Sequence, residues 1–226
     1  MTSRTTLALD LSTARGEIAV VRGDSLLFAD AFQSERSHNA QVFVPLRRAL
    51  AAAGPQLDLI VIGSGPGSYT GVRIAIAAAQ GIALSRKIPL IGWPSIAAPD
   101  SDRQTFQVIG DARRGCFYIA RITDGHLVTP IEILDAAQAK ARVEAQAAIT
   151  WLTFDSKVPF DLPAIQLVHP SAARLARAGL TLSATDLNSH TALPLEPLYL
   201  QEAFITTARK PGKQVPIIRA LMSTEH

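Results

Sequence analysis

The chain has 226 residues, 48% hydrophobic and 18% charged, with a formal net charge of +3, enough apolar material for a sizeable core in one large domain or two small ones. No run approaches the roughly 20 uncharged apolar residues of a membrane span, and the opening MTSRTTLALD reaches a carboxylate too soon for a signal peptide, so a soluble protein with no membrane partner is expected. A single cysteine, Cys116, excludes an internal disulfide and suits a reducing cytoplasm, while the cationic clusters (Arg47 and Arg48, Arg113 and Arg114, and Arg209, Lys210 and Lys213) are too scattered to demand a dedicated nucleic-acid binder.

Residues 6–10, 17–22 and 25–32 read as three strands, with Gly23 and Asp24 turning between the last two. Links this short make them antiparallel neighbours. Residues 39–53 carry helical spacing at Val42, Leu46, Ala49 and Leu50 and stop at Gly54 and Pro55. The β-branched runs 60–62 and 88–91 then bracket the loop SGPGSYTGVR and a helix from near Gly71 to Arg86, a parallel βαβ crossover.

The crossover loop holds Gly63, Gly65, Gly67 and Gly71 with Pro66, and its hydroxyls Ser68 and Thr70 can accept from the first free N–H groups of the helix. A loop this small and rigid could admit another backbone or an anion. Its spacing matches none of the familiar phosphate motifs. Val72 and Arg73 follow Gly71 where a phosphate loop needs Lys and Ser or Thr, and Gly65, Gly67 and Gly71 miss the dinucleotide spacing by one residue. Ser68 lies between Pro66 and Thr70, not between the glycines of a nucleophile elbow. From the loop alone, a tight strand-to-helix turn without a ligand is the expectation.

At about 100° per residue, Ala75, Ala78, Ala79 and Ile82 lie opposite Arg73 and suit packing on a sheet. The other side places Ile76, Ala77, Gly81 and Leu84 around Arg73 and Gln80. An apolar, small-residue face of that kind is covered either by another molecule or by another element of this chain.

From residue 104 the order repeats. Residues 106–109 end in Gly110 and Asp111, residues 117–122 alternate, Asp124 and Gly125 turn, and residues 127–133 alternate again. Asp135 can cap a helix over 136–145, and 149–154 resembles a following strand. Each copy of βββαβ closes its first strand on an aspartate, Asp10 and then Asp111. The fold class expected is α/β, with duplicated βββαβα halves of the actin-like (ASKHA, ribonuclease-H-like) kind, in which two such aspartates flank Mg²⁺ and nucleotide phosphates in the cleft between halves. Pro159, Pro163 and Pro170 interrupt the second half, leaving 164–168 and a helix over 171–178 as its regular parts. The domains expected are 1–100, carrying the loop and interface helices, a degenerate 101–200 half ending in a short strand at 198–200, and a basic tail over 201–226.

The runs GSGPGSYTGVRIAIAAAQGIA, DLST, SHNAQ with Pro45, DARRGCFYIA and PLYL together resemble the TsaB (YeaZ) family of bacteria over nearly the whole chain, GPGSYTGVR being the most specific of them. The resemblance implies an actin-like fold. It also implies a part in forming N6-threonylcarbamoyladenosine at position 37 of tRNAs that read codons starting with A, beside a TsaD-like transferase and the ATPase TsaE, with tRNA engaged through the complex and homodimers possible. The metal-bearing relative uses two histidines four apart, whereas His38 is followed at that spacing by Val42, and His126, His169 and His190 have no partner spacing, so no metal is expected. Asp10, Ser12 and Asp111 remain as a degenerate nucleotide cleft, with Leu11 where many relatives carry a hydroxyl and no glycine pair for phosphates. ATP and metal are therefore expected on partner subunits, and this chain is expected to be a non-catalytic scaffold. The interface expected comprises Arg73, Ile76, Ala77, Gln80, Gly81 and Leu84, with Val42 and Leu46. The alternative is an enzyme in its own right, an actin-like phosphotransferase using Asp10 and Asp111 or an M22-type glycoprotease homologue.

Overall fold

In β1 (Thr5–Asp10) every residue is buried, because successive side chains point to opposite faces and both faces are covered. Leu7 and Leu9 face one layer, and Ala8 faces the other. The structure is a computed structural model that describes residues 3–33 and 41–200; His38, Asn39 and the basic tail lie outside the described residues. Strand β1 pairs antiparallel with β2 (Arg15–Arg22), which pairs with β3 (Ser25–Gln33) across the Gly23 turn. On its other side β1 runs parallel to β4 (Leu59–Gly63), and β4 to β5 (Leu90–Trp93), in the order β3-β2-β1-β4-β5. The helices α1 (Phe43–Ala53) and α2 (Tyr69–Arg86) cover the Leu7 face.

The second sheet repeats this order. Its strands are β6 (Thr105–Arg113), β7 (Cys116–Thr123), β8 (His126–Leu127), β9 (Glu132–Asp135), β10 (Trp151–Thr153) and β11 (Ile165–Leu167). Here β6 pairs antiparallel with β7 and parallel with β10, β10 runs parallel to β11, and β8 and β9 both pair with β7. The expected third strand is split into β8 and β9 with Pro130 between them, a residue that cannot donate to a ladder. Helix α3 (Ala136–Ala145) begins in a capping box between Asp135 and Gln138. Between β10 and β11 the second copy has only the short 3-10 turn Pro159–Asp161 where the first has α2, which is what makes this half degenerate.

Helix α4 (Ala172–Thr181) follows the second sheet in sequence but packs on the first, against β1, β2 and β4. Close approach is possible because Ala8 and Ala19 are small and Gly179 has no Cβ; one added there would lie 2.6 Å from Val61 Cγ2. Glu17 Oε2 accepts from Ala172 N at 2.7 Å, and the Ser171 hydroxyl caps the same helix end. Ala172, Leu175 and Ala176 thereby join Val61 of the first sheet and Val108 of the second in one core.

Three elements differ from the expectation. Strand β5 begins at Leu90, because Lys87 turns into the left-handed region (φ 54°) and Pro89 has no N–H. Residues 198–200 form no strand, although Leu198 N donates to Ser64 O at 2.8 Å. Helix α5 (Ala184–Ala192), capped by Ser183, was not expected; it buries none of its residues and leans on Trp93 through His190.

Candidate functional site: the glycine loop, the cleft and the outer face of α2

The loop after β4 is built by close packing of backbone on backbone. A Cβ at Gly63 would fall on Asp10 Oδ2, one at Gly67 on the Ser12 carbonyl oxygen, and one at Gly71 on the Leu11 carbonyl oxygen. Gly67 also sits at φ 156°, which L side chains rarely adopt. Three loop donors are taken within the chain: Gly65 N by Ser95 Oγ (2.9 Å), Ser68 N by Ser12 O (2.6 Å) and Gly71 N by Ser68 Oγ (3.2 Å). The glycines therefore let the loop clasp the β1–β2 turn. Ser68 is the helix cap, as its hydroxyl chemistry suggested, but Thr70 lies inside the first turn and is exposed.

Asp10 is 0% exposed. Its Oδ1 accepts from Ser12 N (2.8 Å) and Ser12 Oγ (2.6 Å), and its Oδ2 has no hydrogen-bond partner. Burial pushes its carboxyl up from the ordinary value, against the opposing pull of the Ser12 hydrogen bonds and the nearby Ser95 hydroxyl. This corrects the expectation that Asp10 faces the cleft: it is sealed beneath Gly63, where a metal or phosphate cannot reach it without moving the loop.

Ser12 and Asp111 do face a common cleft, of about 950 Å³, between the two halves. One wall is the loop with Ser68, Tyr69 and Thr70, and the other carries Arg113, Arg114, Asp155 and Lys157. Asp155, which sequence reading missed, accepts from Asp111 N at 2.7 Å, while Asp111 Oδ1 accepts from Arg113 N at 2.6 Å. Burial, and then the Asp111 charge, push the Asp155 carboxyl up, with the Asp111 N–H and Arg113 holding it down. Among the described residues no three His, Cys, Asp or Glu side chains gather as a metal site would require. No helix among them is long and apolar enough to cross a membrane.

On α2 the row Val72, Ala75, Ile76 and Ala79 is buried against the sheet. Ile76, expected on the outer face, is 7% exposed and belongs to the core, because the i, i+3, i+4, i+7 row from Val72 includes it. Val42 (0% exposed) and Leu46 (5%) lie on the corresponding inner row with Ala49 and Ala53, so neither can meet a partner directly. Arg73, Ala77, Gln80, Gly81 and Leu84 are exposed, Leu84 at 83%, and a Cβ at Gly81 would have nothing within 4 Å. The large exposed apolar residues of α1 are Phe43 and Val44. Arg73 donates to the Tyr69 hydroxyl with its guanidinium 5.0 Å from that ring's centroid, and Tyr69 in turn packs against Tyr199 at 5.6 Å.

Comparison with known proteins places these features in a family. The family model described as TsaD, tRNA N6-adenosine threonylcarbamoyltransferase, matches residues 32–188. The chain is 26% identical over 243 residues to the tRNA threonylcarbamoyladenosine biosynthesis protein TsaB of Haemophilus influenzae, covering 95% of this chain and 100% of that one. An uncharacterized protein of Mycobacterium tuberculosis is 31% identical over 207 residues, covering 87% and 92% of the two chains. Among solved structures, YeaZ from Pseudomonas aeruginosa superposes with a TM-score of 0.62 at 24% identity, over 87% of this chain and 100% of that one. That likeness carries the fold.

Proposed function

The chain belongs to the TsaB (YeaZ) family, and from that premise we propose that it takes part in the biosynthesis of threonylcarbamoyladenosine in tRNA as a non-catalytic subunit. In this reading it scaffolds and activates a TsaD-like transferase, with a TsaE-like ATPase, for modification of adenosine 37 in tRNAs reading codons that begin with A. It carries no cofactor of its own; ATP and metal come with the partner subunits, and the work is cytoplasmic.

The observation that carries the reading is the outer face of α2. Ala77, Gly81 and Leu84 form an apolar strip of small side chains around one large exposed one. Such a strip lets another helix approach closely. The same face serves a homodimer when the transferase is absent. The enzymatic alternative is less well supported, since the loop that would hold phosphates is engaged with Leu11 and Ser12 and Asp10 is covered.

Reconstitution tests this. With tRNA, ATP and the preformed threonylcarbamoyl donor derived from threonine and bicarbonate, the TsaD-like and TsaE-like subunits of the same organism should form modified adenosine only when this chain is added, and this chain alone should form none. Modification by this chain without a transferase subunit would overturn the proposal.

A further inference from the structure

The rim of the cleft combines exposed aromatic faces with cations. Tyr69 and Tyr199 are 51% and 52% exposed, and their rings pack at 5.6 Å and 36°. The Arg73 guanidinium lies over Tyr69, which fixes that ring in place. Across the cleft stand Arg113, Arg114 and Lys157, facing the two carboxylates Asp111 and Asp155 on the same wall. With Arg73 the rim and wall carry four cations against three carboxylates, Asp111, Asp155 and, beside Tyr199, Glu196, and the Asp155 carboxylate is already engaged by the Asp111 N–H.

We propose that this rim is a contact site for single-stranded RNA, one base stacking on the Tyr69–Tyr199 pair and the adjoining phosphates meeting Arg113, Arg114 and Lys157. Aromatic faces beside a basic groove are the recurring means of holding unpaired bases, since every base has a π face and every phosphate a charge. A mononucleotide pocket would need backbone amides around the phosphates. Here the amides of Gly65, Ser68 and Gly71 are bonded within the chain, and the glycines are filled by the Leu11 and Ser12 carbonyls. With those amides taken, the charged side chains of Arg113, Arg114 and Lys157 are the groups on the opposite wall that can meet phosphate, and side chains on long stems suit a strand that passes across the cleft. The inference extends the partner-subunit reading by giving this chain its own contact with RNA. That reading is tested by reconstituted modification and stands or falls separately.

The probe is a fluorescein-labelled 12-nucleotide single-stranded RNA titrated with the full chain and followed by anisotropy, beside a duplex RNA of the same length and Mg-ATP. Tyr199→Ala should weaken binding of the single strand about 5- to 150-fold, and Tyr199→Phe should restore it. Lys157→Ala should reduce the slope of log affinity against log salt by about 0.7, whereas Arg177→Ala, away from this cleft, should leave binding unchanged. Circular dichroism checks that each variant is folded; all three positions are at the surface or rim. The proposal is overturned if the single strand does not bind, if the duplex binds equally well, if Tyr199→Ala binds as the wild type does, or if Arg177→Ala matches Lys157→Ala. Displacement of the strand by Mg-ATP at similar occupancy would instead mark a mononucleotide pocket and equally overturn it.

Discussion

Gly81→Ala adds one methyl group to α2 at a position where nothing lies within 4 Å. An interior helical glycine costs about 0.8–1.0 kcal/mol relative to alanine, so the isolated chain should gain nearly that amount and melt about 2–4 °C higher. Gly71→Ala makes the same chemical change in the same helix with the opposite outcome. Its Cβ would fall on the Leu11 carbonyl oxygen, with Ser68 Oγ 3.1 Å away, and backbone cannot rotate aside as a side chain can. Overpacking of this kind costs about 1–3 kcal/mol and here sits at the upper end, leaving a net loss of about 2 kcal/mol after the propensity gain. The two sites are ten residues apart, roughly 15 Å along the helix, so the double variant should be additive within about 0.5 kcal/mol. Urea and thermal melts of the three variants measure this. A Gly71→Ala protein that melts at or above the wild type would refute the clasp between the loop and the β1–β2 turn. If α2 also packs closely on a partner, Gly81→Ala should bind the TsaD-like subunit more weakly despite its greater stability.

Three further outcomes follow from the same geometry. Ala77→Glu, on the exposed side of α2, should leave circular dichroism and melting nearly unchanged while abolishing pull-down of the TsaD-like subunit, since burying an unpaired carboxylate costs several kcal/mol, about 3–5; Ala79→Glu, at 2% exposed, should unfold the chain instead, and equal behaviour of the two would sink the assignment. Glu17→Ala removes the carboxylate that accepts from Ala172 N and should cost about 1–2 kcal/mol in urea melts, with Glu17→Gln recovering most of it; no change would mean α4 is held by its apolar face alone. Burial raises the Asp10 carboxyl above 3.8, so the folded chain keeps a proton that the unfolded chain releases, and stability falls as pH climbs from about 3.8 through the raised value. Glu17 and Asp155 act in the same direction, so the check is a comparison: Asp10→Asn should show a shallower loss of melting temperature between pH 4 and 8 than wild type, and an identical pH profile would show that the carboxyl at Asp10 is not neutral in the fold.

Much of this architecture is written in local pattern. The alternation of residues 6–10 and 17–22, the Gly23 turn and the β-branched runs around the loop specify paired strands before any contact is known, and the same pattern after residue 104 specifies the duplication. Ser68 was legible as a cap because a hydroxyl before a helix has little else to do there. What escaped was set by distance or by a narrow margin of angle. Asp155 meets Asp111 across 44 residues, through the parallel pairing of β6 and β10, and no short spacing announces it. Ile76 adjoins the polar arc around Arg73 on a helical wheel, yet the row from Val72 carries it into the core. Val42 and Leu46 read as an apolar row, but a row of that kind serves its own sheet before it serves a partner. Helix α5 carries a local signal of its own, Ser183 with Asp186 three residues on, whose N–H and carboxylate both meet the Ser183 hydroxyl.

The seat of α4 on the first sheet has a consequence for how the chain comes off the ribosome. Strand β5 ends at Trp93 and α4 begins at Ala172, roughly 80 residues later. At about 5–20 residues per second that interval lasts on the order of 4–16 s, during which the Ala8, Ala19 and Val61 side of a finished sheet has no helix over it. The nascent chain therefore presents an apolar ledge until its own late segment arrives. A messenger truncated before residue 172 should yield a product that associates with chaperones or aggregates, although it encodes all of the first sheet.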